Sequence, residues 1–329
     1  KGGGDQFEKF MKDGEYKYKI AMEDLIHKPS LSWTEFLSFK VISGAIKANL
    51  ISPMDKHVKR YFKDRRLVSV MEFPSLFLGA MPSNIPSLYS LLNYSAFQMG
   101  TWYPIGGMKK VIDGMYELAL SLGVKFHFND PVSKIISSGE NVTSILSASG
   151  SHDCDGLISS GDYHHTEKVL LAEEKRNYTP SYWEKRVMAP SCLIFYLGIN
   201  TKLDKLVHHN LFFDADLRVH GEEIYRNAKW PTDPLFYVSV TSKTDPSVAP
   251  KDCENLFVLM PIAPGLSDTN EAREKYFSII IKRISDFCGS NIQDHIVVKQ
   301  SYCVNDFITD YHAFKGNAYG LANTLGQTA

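Results

Sequence analysis

The sequence changes from a helical to a strand-rich pattern within one stretch, FQMGTWYPIGGMKKVIDGMYELALSLGVKFHFNDPVSKI, residues Phe97–Ile135. An aromatic turn, Trp102-Tyr103-Pro104, runs into the glycine pair Gly106-Gly107. An amphipathic helical pattern follows and stops at Gly123, after which short apolar runs begin. The stretch therefore predicts a hinge between a helical and a strand-rich part of the chain. The two patterns together predict an α+β (mixed) fold for the whole chain.

The helix predicted within this stretch, from Met108 to Leu122, repeats apolar residues at the spacing of one buried face. That face comprises Met108, Val111, Ile112, Met115, Leu118, Ala119 and Leu122. Alternating patterns bounded by turn residues then predict short strands at Val124–Phe128, Val132–Ser137, Val142–Ala148 and Gly156–Ser159. We expect Asp162 to cap a further helix that runs to Leu171.

The sequence on either side extends these two patterns. From residue 5 to about 95 the periodicity is that of several helices. The first is broken at Pro29, the helix that follows Arg66 ends near Gly79 before Pro82 and Pro86, and another helix spans Leu88–Phe97. The second half alternates strand patterns with one clear amphipathic helix, Glu271–Cys288. Its predicted strands are Cys192–Ile199, Leu211–Phe213, Phe236–Ser242, Asn255–Ile262 and Ile296–Tyr302.

The composition is that of an ordinary globular protein: 329 residues, 44% hydrophobic and 22% charged. A net charge of −1 gives no bulk attraction to nucleic acid or to an anionic membrane. Five scattered cysteines without a C-x-x-C pair argue against a disulfide framework or a zinc site, and favour a reducing compartment. No apolar run in the sequence reaches the length of a membrane span.

Known chemical motifs give little guidance. The sequence has no phosphate-binding glycine loop, no G-x-G-x-x-G, no H-E-x-x-H and no G-x-S-x-G. Two adjacent pairs, His164-His165 and His208-His209, point their side chains apart, so we expect no metal site. Asp64, followed by Arg65 and Arg66, is the candidate for acid–base chemistry, with a salt-bridged helix start as the alternative.

One apolar segment carries only positive charge. FLSFKVISGAIKANLI, Phe36–Ile51, contains Lys40 and Lys47 and no acidic residue. It is interpreted either as a helix packed on the protein or as an interfacial segment that dips into a bilayer.

The chain is also rich in Phe and Tyr, with 19 and 17 residues. Core packing explains most of them, although a long apolar ligand would need a similar lining.

Ordered segments along nearly the whole chain resemble the carotenoid desaturase family of the bacterial phytoene desaturase type. They are HVKRYFKDRRL, FLGAMPSNIPSLYSLL, GTWYPIGGM, SSGDYHHTEKVLL, APSCLIFYLGIN, HHNLFFD, SKTDPSVAPKDCENLFVLMPIAPGL and NDFITDYHAFKGNAYGLANTLGQTA. The resemblance implies an FAD-dependent enzyme with an amine-oxidase-like fold. The chain resembles the middle of such an enzyme, without the N-terminal Rossmann segment and the C-terminal flavin loop.

The resemblance also implies an arrangement of parts. Residues 1–96 would form a helical, membrane-facing lobe, and residues 97–171 a hinge helix and β-meander bordering the FAD domain. Residues 172–329 would form the substrate domain, with a mixed or antiparallel sheet and an amphipathic helix. The glycines that cradle the flavin pyrophosphate have no counterpart in this sequence.

The resemblance assigns three groups of site residues. Val132, through its backbone, together with Ser159, Ser160 and Asp162, would lie against the adenine end of FAD. Trp102, Tyr103, Pro104 and Gly106 would line the entry to the substrate tunnel. Asp64 with Arg65 or Arg66 would lie at the reacting end.

The implied reaction removes two hydrogens from a saturated C–C unit of a linear C40 carotenoid such as phytoene. A related carotenoid isomerase, an oxygenase and a hydroxycarotenoid desaturase are alternatives within the superfamily. A non-catalytic module that binds apolar ligands or membranes is an alternative from another class. The expected location is cytoplasmic and peripherally membrane-associated, with the membrane-dissolved carotenoid and the membrane surface as partners and no nucleic acid.

Reversing the charge of Lys40 and Lys47 tests the docking segment. Lys40→Glu together with Lys47→Glu should weaken co-sedimentation with anionic liposomes, because each cation near such a surface contributes about 1 kcal/mol. Neutral liposomes serve as the control surface. Equal sedimentation of the double variant and the parent chain would contradict the membrane interpretation and favour a helix at Phe36–Ile51 that packs on the protein.

Overall fold

A computed structural model of the chain describes residues 3–27, 52–322, 324 and 327. The proposed docking segment, 36–51, lies outside the described residues. Contacts divide the chain into two compact units. One comprises Lys1–Trp102, Leu217–Gly221 and Leu321–Ala329, and the other comprises Tyr103–Asp216 and Glu222–Gly320.

The segment before the hinge is helical, as the sequence predicts. Its helices are α1 (Gly3–Ile20), α2 (Met54–Tyr61), α3 (Arg65–Glu72) and α4 (Leu91–Tyr94). Short 3-10 segments occupy Phe73–Leu78 and Ser87–Ser90, and π-helical segments occupy Ala21–Leu25 and Ser95–Met99. Their core consists of Phe10, Met11, Met54, Val58, Phe62, Met71, Ala80 and Ile85. No helix in the described residues is long and apolar enough to cross a membrane.

This core also encloses an ammonium group. Lys17 is fully buried, and its Nζ lies 2.7 Å from Asp13 Oδ2, 3.1 Å from Ser90 Oγ and 3.2 Å from His57 Nε2. His57 Nε2 also lies 3.0 Å from the same Asp13 oxygen. Burial lowers the pKa of Lys17, and the Asp13 carboxylate acts in the opposite direction. A buried charge of this kind depends on its partner.

The strands after the hinge form two antiparallel sheets. A three-stranded meander contains β1 (Val132–Ser138), β2 (Asn141–Ser147) and β3 (Gly150–Asp153). A five-stranded sheet has the order β5-β6-β7-β4-β8. Its strands are β4 (Ser191–Ile199), β5 (His209–Phe212), β6 (Phe236–Ser239), β7 (Glu254–Ile262) and β8 (Ile296–Tyr302).

Six helices accompany these sheets. They are α5 (Lys109–Ser121), α6 (Tyr163–His165, continued by a π-helical segment Thr166–Leu170), α7 (Pro180–Glu184), α8 (Leu217–Tyr225), α9 (Asn270–Cys288) and α10 (Val304–Tyr311). The sequence marks both ends of α9. Thr269 Oγ1 accepts the Ala272 N–H, and Gly289 ends the helix in the left-handed conformation at φ 73°.

Helix α9 supplies the second layer of the larger core. Its residues Tyr276, Phe277, Ile280, Ile281 and Ile284 are buried against one face of the five-stranded sheet. Alternate residues of the central strand β7 contribute to that face, namely Leu256, Val258, Met260 and Ile262. Each fully buried aliphatic side chain contributes about 1.5–3 kcal/mol, so this interface dominates the packing. The predicted α+β class, the helix Glu271–Cys288 and the predicted strands of the second half are confirmed.

Two predicted strands are wrong. Residues Val124–Phe128 form no ladder with any described segment, although their apolar residues alternate as a strand requires. Residues Gly156–Ser159 are also unpaired in the described chain, and the strand at that point of the meander is β3. A strand exists only where a neighbour accepts its hydrogen bonds, and alternation in a sequence does not supply that neighbour.

The predicted burial of the hinge helix is also wrong. The helix itself is present as α5, but it has no buried residue. Exposed fractions reach 64% at Met108, 65% at Met115 and 76% at Leu122. Periodicity predicts that a face is apolar, whereas burial requires a surface to pack against it.

Removing the partner of Lys17 should destabilise the helical unit. Asp13→Ala is expected to lower the free energy of unfolding by about 3–5 kcal/mol, because it leaves a buried ammonium without a counter-charge. Lys17→Met should cost less, since it removes the buried charge itself. Glu8→Ala, an exposed change on the same helix, is the control. Urea unfolding that shows Asp13→Ala to be no worse than Glu8→Ala would contradict this account.

Candidate functional site

A buried carboxylate fixes the glycine turn of the hinge. Asp245 is 1% exposed, and its Oδ2 accepts the Gly106 N–H at 2.7 Å. Its Oδ1 accepts the Ser247 hydroxyl at 2.6 Å and the Ser247 N–H at 3.0 Å. The Ser247 hydroxyl and the Gly106 N–H lower the pKa of Asp245, so the group is ionised at neutral pH. The turn also requires glycine, because Gly106 and Gly107 have φ of 91° and 97°.

Aromatic rings extend from this turn. The Tyr103 ring lies 5.0 Å from the His208 ring, edge to face, and His208 Nδ1 lies 2.6 Å from Thr244 Oγ1. His209 Nδ1 lies 2.6 Å from the Tyr237 hydroxyl. The two histidines have separate hydrogen-bond partners, but their rings do not point apart as the sequence predicts, because the ring centroids lie 4.3 Å from each other. Burial lowers the pKa of both, so neutral imidazoles line this region. Trp102 is 89% exposed.

The second face of the five-stranded sheet is aromatic and half-exposed. The register brings one residue of each strand into a single row across the sheet, in the order Gln300, Tyr196, Phe257, Ser239, His209. The next row on the same face is Tyr302, Ile194, Leu259, Tyr237, Leu211. We call these two rows the open face. The Tyr196 and Phe257 rings lie 5.6 Å apart, and Tyr196 is 42% exposed.

An open cleft of about 290 Å³ lies at the end of this face. Leu197, Gly198, Thr241, Asn255 and Val298 line it together with Tyr196 and Phe257. A concave apolar surface with a few polar groups is typical of ligand sites in proteins. A second open cleft, of about 630 Å³, lies along α5 and includes the rings of Tyr116, Phe126 and Phe128.

The residues assigned to the adenine end of FAD lie in two places, one at the start of the meander and the others in the segment that follows it. Val132 begins the edge strand β1, next to an irregularity in its pairing with β2. Ser159 and Ser160 belong to an exposed extended segment, and Ser159 Oγ lies 2.9 Å from Thr166 Oγ1. Asp162 caps α6 as predicted: its Oδ1 accepts the His165 N–H at 2.9 Å, and its Oδ2 accepts the Phe314 N–H at 3.2 Å.

Asp64 occupies the N-cap of α3. Its carboxylate accepts backbone N–H groups of Arg66 and Leu67 at 2.9 and 3.4 Å, and the Arg66 guanidinium lies 3.2 Å away. Contact with the Arg66 side chain lowers the pKa of Asp64. The salt-bridged helix start is thus the observed structural role, and the carboxylate remains partly exposed to solvent.

Sequence reasoning missed Asp245 and the open face. The local pattern Asp245-Pro246-Ser247 does signal a turn whose aspartate caps the following residues. Nothing in the sequence connects that aspartate to Gly106, which lies 139 positions earlier. The sequence predicts strands that contain the Tyr and Phe residues of the open face, but the alignment of these residues in rows depends on register between strands.

Comparison with known proteins identifies the family. Residues 43–326 match the family model described as flavin containing amine oxidoreductase, and the chain belongs to that family. The chain is 36% identical to a carotenoid 3,4-desaturase of Haloarcula japonica over 100% of its own length. It is 26% identical to a zeta-carotene-forming phytoene desaturase of Myxococcus xanthus and 27% identical to a 1-hydroxycarotenoid 3,4-desaturase of a Flavobacterium species, over 97% and 96% of its length.

Solved structures confirm the amine-oxidase-like fold. Putrescine oxidase bound to putrescine matches 98% of the chain with a TM-score of 0.59 at 12% identity. An oxidoreductase from Methanosarcina mazei matches 83% of the chain with a TM-score of 0.55 at 20% identity. The chain spans 66%, 62% and 64% of the three carotenoid relatives, and 65% and 64% of the two structures.

Flavin is the cofactor of this family, and FAD is therefore confirmed at family level. The residues present fit only part of an FAD site. Backbone groups of an edge strand and an exposed extended segment are suitable for contacts at the adenine end. The sequence has no glycine-rich cradle at a helix N-terminus for the pyrophosphate.

Loss of the Asp245 carboxylate should release the glycine turn. Asp245→Ala is expected to speed hydrogen exchange at the Gly106 amide by about tenfold, because a hydrogen bond to a charged acceptor is lost. Asp204→Ala, an exposed change on the same unit, is the control. Unchanged exchange at Gly106 in Asp245→Ala would show that the turn holds its shape without the carboxylate.

Proposed function

We propose that this chain is the substrate-binding part of an FAD-dependent enzyme that desaturates a linear C40 carotenoid. The observation that carries the proposal is the open face, a half-exposed aromatic surface on a flavin-oxidoreductase fold. The named relatives support it, since all three are desaturases of carotenoids. An amine substrate would instead call for an enclosed polar pocket, and the open face is chiefly aromatic and aliphatic.

The dimensions of the open face suit an extended hydrocarbon. Strands lie about 4.8 Å apart, so a row across five strands extends about 19 Å. The second row of the open face, from Tyr302 to Leu211, would give a polyene apolar contact without requiring any polar group at a fixed position. We propose that Trp102, Tyr103, Pro104 and Gly106 mark the entrance to this surface, with Asp245 holding the turn.

The position of the new double bond is a finer question. Identity is higher to the carotenoid 3,4-desaturase, at 36%, than to the phytoene desaturase, at 26%. This difference favours desaturation near the end of an already unsaturated chain over desaturation of phytoene. The three alternative enzymes, namely a carotenoid isomerase, an oxygenase and a hydroxycarotenoid desaturase, differ from the proposed desaturase in their products.

The reaction removes a hydride and a proton from adjacent carbons and leaves a C=C bond. Bound flavin supplies the acceptor for the hydride. The proton next to an allylic cation is acidic, so a weak base is sufficient. We propose Asp64 for that role, with Arg65 and Arg66 as its neighbours, because its carboxylate is ionised and exposed.

The three segments of the chain would have different roles in this enzyme. Residues 1–96 would face the membrane, 97–171 would border the FAD domain and 172–329 would hold the substrate. Val132, Ser159, Ser160 and Asp162 would contact the adenine end of FAD. The exposed apolar face of α5 supports the proposed border between residues 97–171 and the FAD domain. A helix with no buried residue offers a surface on which another domain can pack. The proposed location is cytoplasmic at the membrane surface, which the carotenoid substrate would require.

Product analysis tests the proposed reaction. The enzyme that contains this chain, loaded with FAD, should convert acyclic carotenoids in liposomes to products lighter by two hydrogens, with red-shifted absorption. Products with added oxygen would indicate the oxygenase, and products of unchanged mass the isomerase. Turnover of none of these carotenoids would overturn the proposal and favour a non-catalytic module.

Truncation of a ring on the open face tests the substrate surface. Phe257→Ala should raise KM for the carotenoid about tenfold, which corresponds to about 1.4 kcal/mol of lost apolar contact. Phe287→Ala removes a half-exposed ring from α9 and is the matched control. A melting temperature measured for both variants separates loss of contact from loss of fold. Equal KM values in the two variants would show that the open face does not bind the carotenoid.

A further inference from the structure

Three side chains of the second unit converge at the start of the meander. They are His127, from the unpaired segment after α5, Asp130, just before β1, and His152 of β3. One potential ligand atom from each lies within 4.8 Å of the other two. Neither histidine belongs to the adjacent pairs His164-His165 and His208-His209.

The separations within this cluster suit a shared ion better than direct hydrogen bonds. His152 Nε2 lies 3.6 Å from Asp130 Oδ2, beyond the usual hydrogen-bond range. Two ligand atoms bound tetrahedrally to one ion at about 2.1 Å lie about 3.4 Å apart. The His127 and His152 ring centroids lie 5.1 Å apart. Two imidazoles on one tetrahedral ion would place their centroids about 5.2 Å apart.

The carboxylate of the cluster is held in place by its neighbours. Asp130 Oδ1 accepts the Ser149 N–H at 2.8 Å, and Oδ2 accepts the Ser149 hydroxyl at 2.6 Å. The Asp130 side chain is only 9% exposed. Hydrogen bonds of this kind orient metal-binding carboxylates in proteins.

The hydroxyls around His152 are the competing arrangement. His152 Nε2 lies 3.0 Å from Ser147 Oγ and 3.2 Å from Ser149 Oγ. Either hydroxyl can turn its hydrogen elsewhere, since Ser149 donates to Asp130 and Ser147 lies 3.3 Å from the Gly150 carbonyl. The Nε2 lone pair is then available to a cation. His127 is exposed, so a cation can reach its ring from solvent.

We propose that His127, Asp130 and His152 bind a divalent transition-metal ion such as Zn²⁺. Two imidazole nitrogens and one carboxylate oxygen are a ligand set that such ions accept, and the remaining position would hold water. The ion would join the segment after α5, the entry to β1 and strand β3. Its role would be structural, because it would fix the unpaired segment 124–130 to the meander.

Zinc titration of the full chain, prepared without a histidine tag, tests this site. Calorimetry should give one Zn²⁺ per chain, and the melting temperature should rise with Zn²⁺ and fall again with a chelator. Co²⁺ should give the visible absorption of a four- or five-coordinate ion. His127→Gln should weaken binding at least about tenfold, since even the loss of an outer-shell partner of a metal ligand costs that much.

The control variant is His295→Gln, which removes a histidine remote in sequence from the cluster and should leave Zn²⁺ affinity unchanged. His127 is the preferred change because its exposed ring carries little of the fold. His152→Gln provides a second ligand variant, with circular dichroism to verify folding. The proposal is overturned if the parent chain binds no Zn²⁺, or if both ligand variants bind it as tightly as the parent chain does.

Discussion

The packing of α9 against the five-stranded sheet is the interaction on which the second unit depends. Side chains alternate between the two faces of a strand, so each strand that contributes to the α9 interface also presents residues to the opposite side. In β7 the residues Leu256, Val258, Met260 and Ile262 face the core. Their neighbours Phe257 and Leu259 must then lie on the open face. The core thus determines which residues are available to a ligand.

A second constraint is the pairing of the glycine turn with a distant carboxylate. Gly106 and Gly107 adopt backbone angles that other residues disfavour. The Asp245 carboxylate accepts the Gly106 N–H, which would otherwise lack this partner. Because Asp245 also caps its own turn, two loops are tied through one nearly buried side chain. Aromatic residues at the turn, such as Tyr103, are therefore positioned by groups that have no chemical part in the proposed reaction.

Helix α5 and the segment after it show what an apolar pattern does and does not specify. The pattern correctly predicts a helix ended by Gly123, yet none of its residues is buried in the described chain. Periodicity makes one face of the helix apolar, but only a surface packed against that face can bury it.

The sequence by itself determined the helical half, the central strands of the five-stranded sheet, the ends of α9 and the caps at Asp64 and Asp162, because local periodicity and capping chemistry decide these features. Ordered matches along the chain also determined the family. Only the tertiary structure decided that Val124–Phe128 and Gly156–Ser159 pair with no strand among the described residues. It also decided that Asp245 holds Gly106, and that Tyr196 and Phe257 share a row with His209. Each of these depends on register or contact between residues far apart in the chain, and a local pattern carries no information about which distant segment will meet it.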